Sequence, residues 1–327
     1  MPKSKKLSKQ GNNFIISNIH FFKYKNNFIR TTRLVVYHLQ NDLDTVYKWT
    51  EDNNMQLNGL KFEHLAYGKN DALKQSSRYF TDTATLIENK DEVKDLGVTL
   101  DTHLTYEKHI QEQIKKVKNI SAWIYRTFKS REIETMLTLW KALAIPHLDY
   151  CSQLWSPWKR GLVQQLEEVQ KSFLHGIPSL RHLNYWEKLK SLKLYSLERR
   201  RERYQIIYTW NVIEGNVPNF DYDESKGGIS CHINQRLGRI CNLKAVNIKH
   251  KNIWRGSLSQ EGPRLFNTLP RPIRDLTNCP KEVFKKHLDT FLKTVPDEPL
   301  LAHYFNLRQA DSNSLKEMLK HRTQRVG

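Results

Sequence analysis

The chain has 327 residues, 39% of them hydrophobic, with 8 Trp, 14 Tyr and 13 Phe, which is too much for a disordered chain and is enough for two or three small domains with a real core. With 53 Lys and Arg against 34 Asp and Glu the formal charge is +19, spread as +4, +7 and +8 over residues 1–100, 101–200 and 201–327. No apolar run approaches the ~20 residues of a membrane span, and MPKSKKLSKQ has no apolar signal core, so neither membrane nor secretion is expected.

A charge of this size points to a polyanionic partner, because Lys and Arg release counterions condensed on phosphates. The alternative is a basic protein without such a partner. Cys151, Cys231, Cys241 and Cys279 form no C-x-x-C pair and read as reduced thiols of an intracellular protein, nuclear or cytoplasmic. The N-terminal Lys cluster reads as a nuclear-import patch or a solvated end.

Residues 1–39 hold eight Lys and Arg and no acidic residue, and their apolar clusters have no clear period. Strands are expected at 14–22 and 33–38. Leu39, Leu43, Val46, Tyr47 and Trp49 then predict a helix, stopped by Asn53, Asn54 and Asn58-Gly59. KFEHLAYG alternates as a strand does, and YFTDTATLIENKDEVKDLGVTLD reads as two or three short strands ending at Leu100. From 104 to 214 the pattern is helical. Ile110, Ile114, Val117, Ile120, Ile124 and Phe128 form one stripe. A second helix follows Ser130 as N-cap and buries Ile133, Met136, Leu137, Trp140 and Leu143; Pro146 must kink it or start a new segment. A third carries Leu162, Leu166, Val169, Phe173 and Ile177, and two more fit 185–193 and 196–214. Residues 215–230 read as a linker and 231–270 as short strands and turns ending in GPRLFNTLP. PKEVFKKHLDTFLKTVP reads as a helix with Val283, Phe284, Leu288, Phe291 and Leu292 on one face, and the segment after Pro299 as loosely packed.

Several phrases, in order, resemble the C-terminal half of non-LTR (LINE, jockey-like) retrotransposon reverse transcriptases. LQNDLDTVYKW with NNMQLNGLKFEHLAYG is similar to the helix and strand after their catalytic hairpin. VKDLGVTLDTHLTYEKHI resembles their palm–thumb junction, and IYRTFKSREIETMLTLWKALAIPHLDYCSQLWSPW their thumb helices, with PHLDYCSQLW the most specific run. LKLYSLERRRERYQIIYTWNVIEG, GPRLFNTLPRPIR, FKKHLDTFLKTVPDEP and ADSNSL resemble the tail of the same polyproteins. The resemblance implies an α+β, mainly α fold. Its parts are an unmatched basic segment (1–38), a palm remnant with a primer-grip-like hairpin (39–103), an antiparallel helical thumb-like bundle (104–214), a linker (215–230), a small C-terminal α+β module (231–300) and a loose tail (301–327).

The family's aromatic-Ala-Asp-Asp hairpin should fall within residues 10–35, where no acidic residue occurs, and the chain contains no Asp-Asp dipeptide. Fingers, the other catalytic aspartate and any endonuclease would lie further upstream. Nucleotidyl transfer in the intact family uses carboxylates to hold two Mg²⁺ ions, and Lys or Asn cannot replace them. Asp42 and Asp44, two apart on a helix, point to different faces and read as helix N-terminal acids. No catalytic residue and no cofactor are therefore expected in this chain.

What the resemblance implies is a grip on nucleic acid. Lys94 and backbone near Gly97 would contact a primer end; alternatively Leu96 and Val98 are simply core. Lys108, Lys115, Lys116 and Lys118 form a basic outer surface of the first thumb-like helix, which serves either phosphate contact or solvation. Arg199, Arg200, Arg201 and Arg203, with Tyr195, Tyr204 and Tyr208, suit single strands, unless the tyrosines are core and the arginines solvated. Cys231, His232, Cys241 and His250 lack the paired spacing of a zinc site, and Trp140, Trp155, Trp158 and Trp254 read as core or half-buried anchors. The expected function is a truncated RNA-directed DNA polymerase-like protein that binds RNA or an RNA–DNA hybrid weakly and without sequence preference. The alternatives are a domesticated protein-interaction module, a chain that complements a missing N-terminal half, or a gene fragment without function.

Overall fold

In a computed structural model the described residues are 15–17, 28–67, 77–217, 233–234, 239–240, 243, 257–298 and 312–324. The fold is mainly helical, 61% helix against 6% strand, with a small two-stranded antiparallel sheet. The chain divides into two compact units, Met1–His109 and Ile110–Gly327.

In the first unit, strand β1 (Ile15–Ser17) pairs in parallel with β2 (Glu63–Leu65), Ile16 opposite His64. Helix α1 runs from Phe28 to Asp52, so the strand expected at 33–38 is helical. Val35 and Val36 favour strands locally, but Val36, Leu39, Leu43 and Tyr47 recur at helical spacing and pack on Phe62, Tyr79 and Ile87. The Tyr47 and Phe62 rings stack at 5.3 Å. Trp49 faces outward, 40% exposed. Asn54, at φ 53, ends α1, and the Met55 N–H returns to the Thr50 carbonyl at 2.8 Å, which satisfies the last turn.

Strands β3 (Glu92–Asp95) and β4 (Val98–Asp101) form an antiparallel hairpin with Val93 opposite Leu100. Leu96 and Gly97 turn it with φ values of 46 and 86, the paired positive dihedrals of a tight hairpin turn. Val93 and Val98 are buried, whereas Leu96 is 67% exposed and is not core. The Asp101 carboxylate accepts from the backbone N–H groups of His103, Thr105 and Tyr106, which leads the chain into helix α2 (Glu107–Thr127).

In the second unit α2 buries Ile110, Ile114, Val117 and Ile124. Helix α3 (Ile133–Leu139) is capped at Glu132 rather than Ser130, whose hydroxyl instead accepts from the Glu132 N–H at 3.3 Å. Of its expected buried face only Met136 and Trp140 are fully covered. A π-helical turn, Trp140–Ala144, leads into α4 (Ile145–Asp149). It widens the helix just before Pro146, whose ring cannot fit a regular turn. Next come α5 (Ser152–Trp155), α6 (Arg160–His175), α7 (Tyr185–Leu192) and α8 (Leu197–Ile213). The Trp140 indole stacks on Phe173 of α6 at 4.5 Å.

Strands β5 (Ile233–Asn234) and β6 (Arg239–Ile240) pair antiparallel. Helices α9 (Leu258–Asn267), α10 (Arg271–Arg274), α11 (Lys281–Leu292) and α12 (Leu315–Gln324) follow. GPRLFNTLP thus falls largely in a helix instead of strands and turns. Gly262-Pro263 signals a break locally, but Leu265 and Phe266 are buried, and Gly262 lies so close to Thr209 of α8 that a Cβ would meet its Oγ1 at 2.3 Å. The expected separation of a C-terminal module from the bundle gives way to one shared core. Ile206, Ile207 and Trp210 of α8 pack with Leu265, Phe266, Phe284, Leu288, Leu315 and Met318, and Trp210 stacks on Phe284 at 4.8 Å. Val283 points outward, 38% exposed. Nor is the C-terminal segment loose throughout: Ser312, Asn313, Ser314 and Leu315 are all buried. Most of the expected linker lies outside the described residues.

Candidate nucleic-acid interface

The arginine run does not form a surface patch. Arg199 and Arg201 are 0% and 4% exposed. Arg199 donates to the carbonyls of Pro296 and Asn313, both at 3.0 Å. Arg200 grips Asp149 through Nε at 2.8 Å and Nη2 at 2.6 Å, and Arg203 holds Asp289 at 2.5 and 2.8 Å. The Tyr204 hydroxyl donates to Asp149 at 3.1 Å, and the guanidiniums of Arg200 and Arg203 lie 5.5 and 5.9 Å from its ring centre. Tyr195 and Tyr208 are half-buried. Buried guanidiniums are retained when paired: Arg200 joins α8 to α4, Arg203 joins it to α11, and Arg199 joins it to the 312–315 segment.

The same interior holds two buried carboxylates. Glu167 accepts from the Tyr185 hydroxyl and from the Leu197 and Glu198 N–H groups at 3.1 and 3.3 Å, so it caps α8. Burial pushes its carboxyl up to about 7, against the opposing pull of Tyr185, Arg201 and the Leu197 N–H. Burial likewise raises Glu202, which receives the Ser314 hydroxyl at 2.6 Å and the Leu315 N–H at 2.9 Å at the start of α12.

The lysines divide. Lys108 is paired with Glu92 of the hairpin. Lys94, opposite Thr99, and Gly97 are exposed at the hairpin tip beside Leu96. On α2, Lys115, Lys116 and Lys118 are all exposed, and none of them is ion-paired among the described residues. The sequence reading missed two neighbours on that face, Arg126 and Trp123, the latter 46% exposed. Their signal is spacing: Lys116, Asn119, Trp123 and Arg126 repeat at steps of three and four opposite the buried isoleucine stripe.

The far end of α2 is fixed in place. Arg131 donates to the carbonyls of Tyr125 and Phe128 at the end of α2 and to that of Ser130 in the following loop, and its guanidinium lies 5.2 Å from the Tyr125 ring centre. The Tyr125 hydroxyl donates to the Phe173 carbonyl of α6 at 2.6 Å, and Gly176 leaves room for the ring, since a Cβ there would stand 2.5 Å from it. The basic face is therefore carried on an anchored helix.

Asp42 and Asp44 are exposed on α1, and Asp44 accepts from Gln40 at 2.7 Å. Among the described residues no three His, Cys, Asp or Glu side chains are grouped to hold a metal, and no helix is long and apolar enough to cross a membrane. Cys231, His232, Cys241, His250, Trp254 and the N-terminal Lys cluster lie outside the described residues. No protein-family model, curated protein or solved structure matches the chain.

Proposed function

We propose that this chain is a reverse-transcriptase-like protein of non-LTR retroelement type that grips RNA or an RNA–DNA hybrid without reading its sequence and does not polymerise. On this reading unit one is a palm remnant with its hairpin, and the helices from α2 to α8 are thumb-like. The collinear motifs support the descent, and the absence of an Asp-Asp pair from the sequence removes the ligands a two-metal polymerase needs.

The observation that carries the binding reading is the α2 face. Lys115, Lys116 and Arg126 stand exposed across one anchored helix from its apolar stripe, with Lys118 exposed at the stripe's flank. Phosphate contacts of this kind position a nucleic acid without reading its bases. The interior arginines serve the fold, so the grip of the second unit belongs to α2; in the first unit the hairpin tip at Lys94 and Gly97 is a separate candidate.

Primer extension with Mg²⁺ or Mn²⁺ tests the catalytic half of the proposal: no product is expected, and product overturns it. Ultraviolet crosslinking of the full chain to RNA tests the other half, with adducts expected on α2. A second reading, a protein-interaction module, is favoured by Phe80 and Leu86 of unit one, which are bridge partners and 41% and 52% exposed. It predicts no crosslink to RNA.

A further inference from the structure

Charge does not explain why Trp123 stands on the basic face of α2. Most of an indole's area gains from burial, yet this side chain is 46% exposed. It is held in position all the same. The Phe128 ring meets it at 86°, centroids 5.8 Å apart, and the Phe128 carbonyl is held by Arg131. Lys116, Asn119, Trp123 and Arg126 follow one another at steps of three, four and three, so they form one stripe about 15 Å long. All four are exposed, and Glu112 stands one turn before Lys116, at the start of the row.

We propose that this stripe binds single-stranded RNA or DNA, with an unpaired base stacked on the Trp123 indole and its flanking phosphates beside Lys116 and Arg126. The proposal rests on the reading of α2 as a nucleic-acid face and specifies which nucleic acid that face prefers. A duplex keeps its bases stacked inside and offers α2 only phosphates and groove edges, for which Lys and Arg suffice. A braced, exposed indole adds something only when a base is free to lie on it. Such stacking is worth about 1–3 kcal/mol per base and tolerates any sequence, because every base has a π-face. The cationic residues on either side supply the backbone attraction.

Fluorescence anisotropy of the full chain, with a labelled single-stranded oligonucleotide and a labelled duplex of equal length, tests it. Trp123→Ala is expected to weaken single-strand binding roughly 5- to 150-fold at fixed salt, the conversion of that stacking range. Duplex binding and the salt dependence of both should stay as in the parent. Trp123→Phe, which keeps an aromatic face and the contact with Phe128, should retain most of the single-strand affinity and guards against a folding artefact. Equal losses on both nucleic acids, or no loss on either, would overturn the proposal. If Lys115→Ala/Lys118→Ala weakens binding while Trp123→Ala does not, stacking is wrong and the basic-face reading stands. If the parent binds neither oligonucleotide, both fall.

Discussion

Arg200 and Asp149 form a two-nitrogen ion pair, Nε to Oδ1 at 2.8 Å and Nη2 to Oδ2 at 2.6 Å, that ties α8 to the end of α4. The fork geometry matches a guanidinium to a carboxylate as no lysine can. Side-chain exposures of 30% and 18% leave it partly screened. Arg200→Ala, or Asp149→Ala, is expected to cost unit two about 1–3 kcal/mol in urea unfolding. The double variant should cost less than the sum of the two. RNA affinity at a temperature where the variants stay folded should not change; a reduced salt slope would return Arg200 to the binding surface.

Glu167 carries the pH dependence of the same unit. Its folded value is raised by burial from 4.5 to about 7, so its contribution is fully present below about 4.5 and is lost as pH rises through 7. Glu202 is shifted the same way. Because burial lowers His64 and His147, which drift the other way, the test is the difference: from pH 5 to pH 8 thermal melting should show the parent losing up to about 3 kcal/mol relative to Glu167→Gln. Glu167→Gln keeps the carbonyl that accepts the Leu197 N–H and removes the titration, so its profile should be flatter. A Glu167→Gln profile that runs parallel to the parent's would contradict the assignment.

Gly262 is required by contact, since a Cβ would meet the Thr209 hydroxyl at 2.3 Å. Gly262→Ala is expected to destabilise unit two by about 1–3 kcal/mol, the usual cost of overpacking. Thr209→Ala should recover part of that loss in the double variant. Chemical denaturation of the four proteins gives the coupling, and strict additivity would show that α8 and α9 do not meet there.

Much of the architecture was legible because burial imposes a period. The stripe from Ile110 to Ile124 and the stripe from Leu162 to Phe173 each declare their element within a few residues. Residues 33–38 and 258–267 were not legible. Their local signals, β-branched valines and a Gly-Pro pair, were outweighed by partners elsewhere in the chain: Phe62, Tyr79 and Ile87 for the first, Thr209 for the second. The arginine run misled for the same reason. Its acidic partners lie 51 and 86 positions away, and nothing local marks Asp149 or Asp289 as theirs. The lysines of α2 could be read because they lie off its apolar stripe. Trp123 escaped notice because an indole on a helix is usually core.

If the α2 lysines are the charges that meet phosphate, the salt dependence of binding must fall when they are removed. Titrating the parent and Lys115→Ala/Lys118→Ala with an RNA oligonucleotide across a range of salt gives the slope of log K against log salt. The slope should shrink by roughly 1–2 in the double variant, about 0.7–0.9 per lost phosphate contact, with an unchanged melting temperature. An unaltered slope in a folded variant, or binding by the parent that ignores salt, would contradict it.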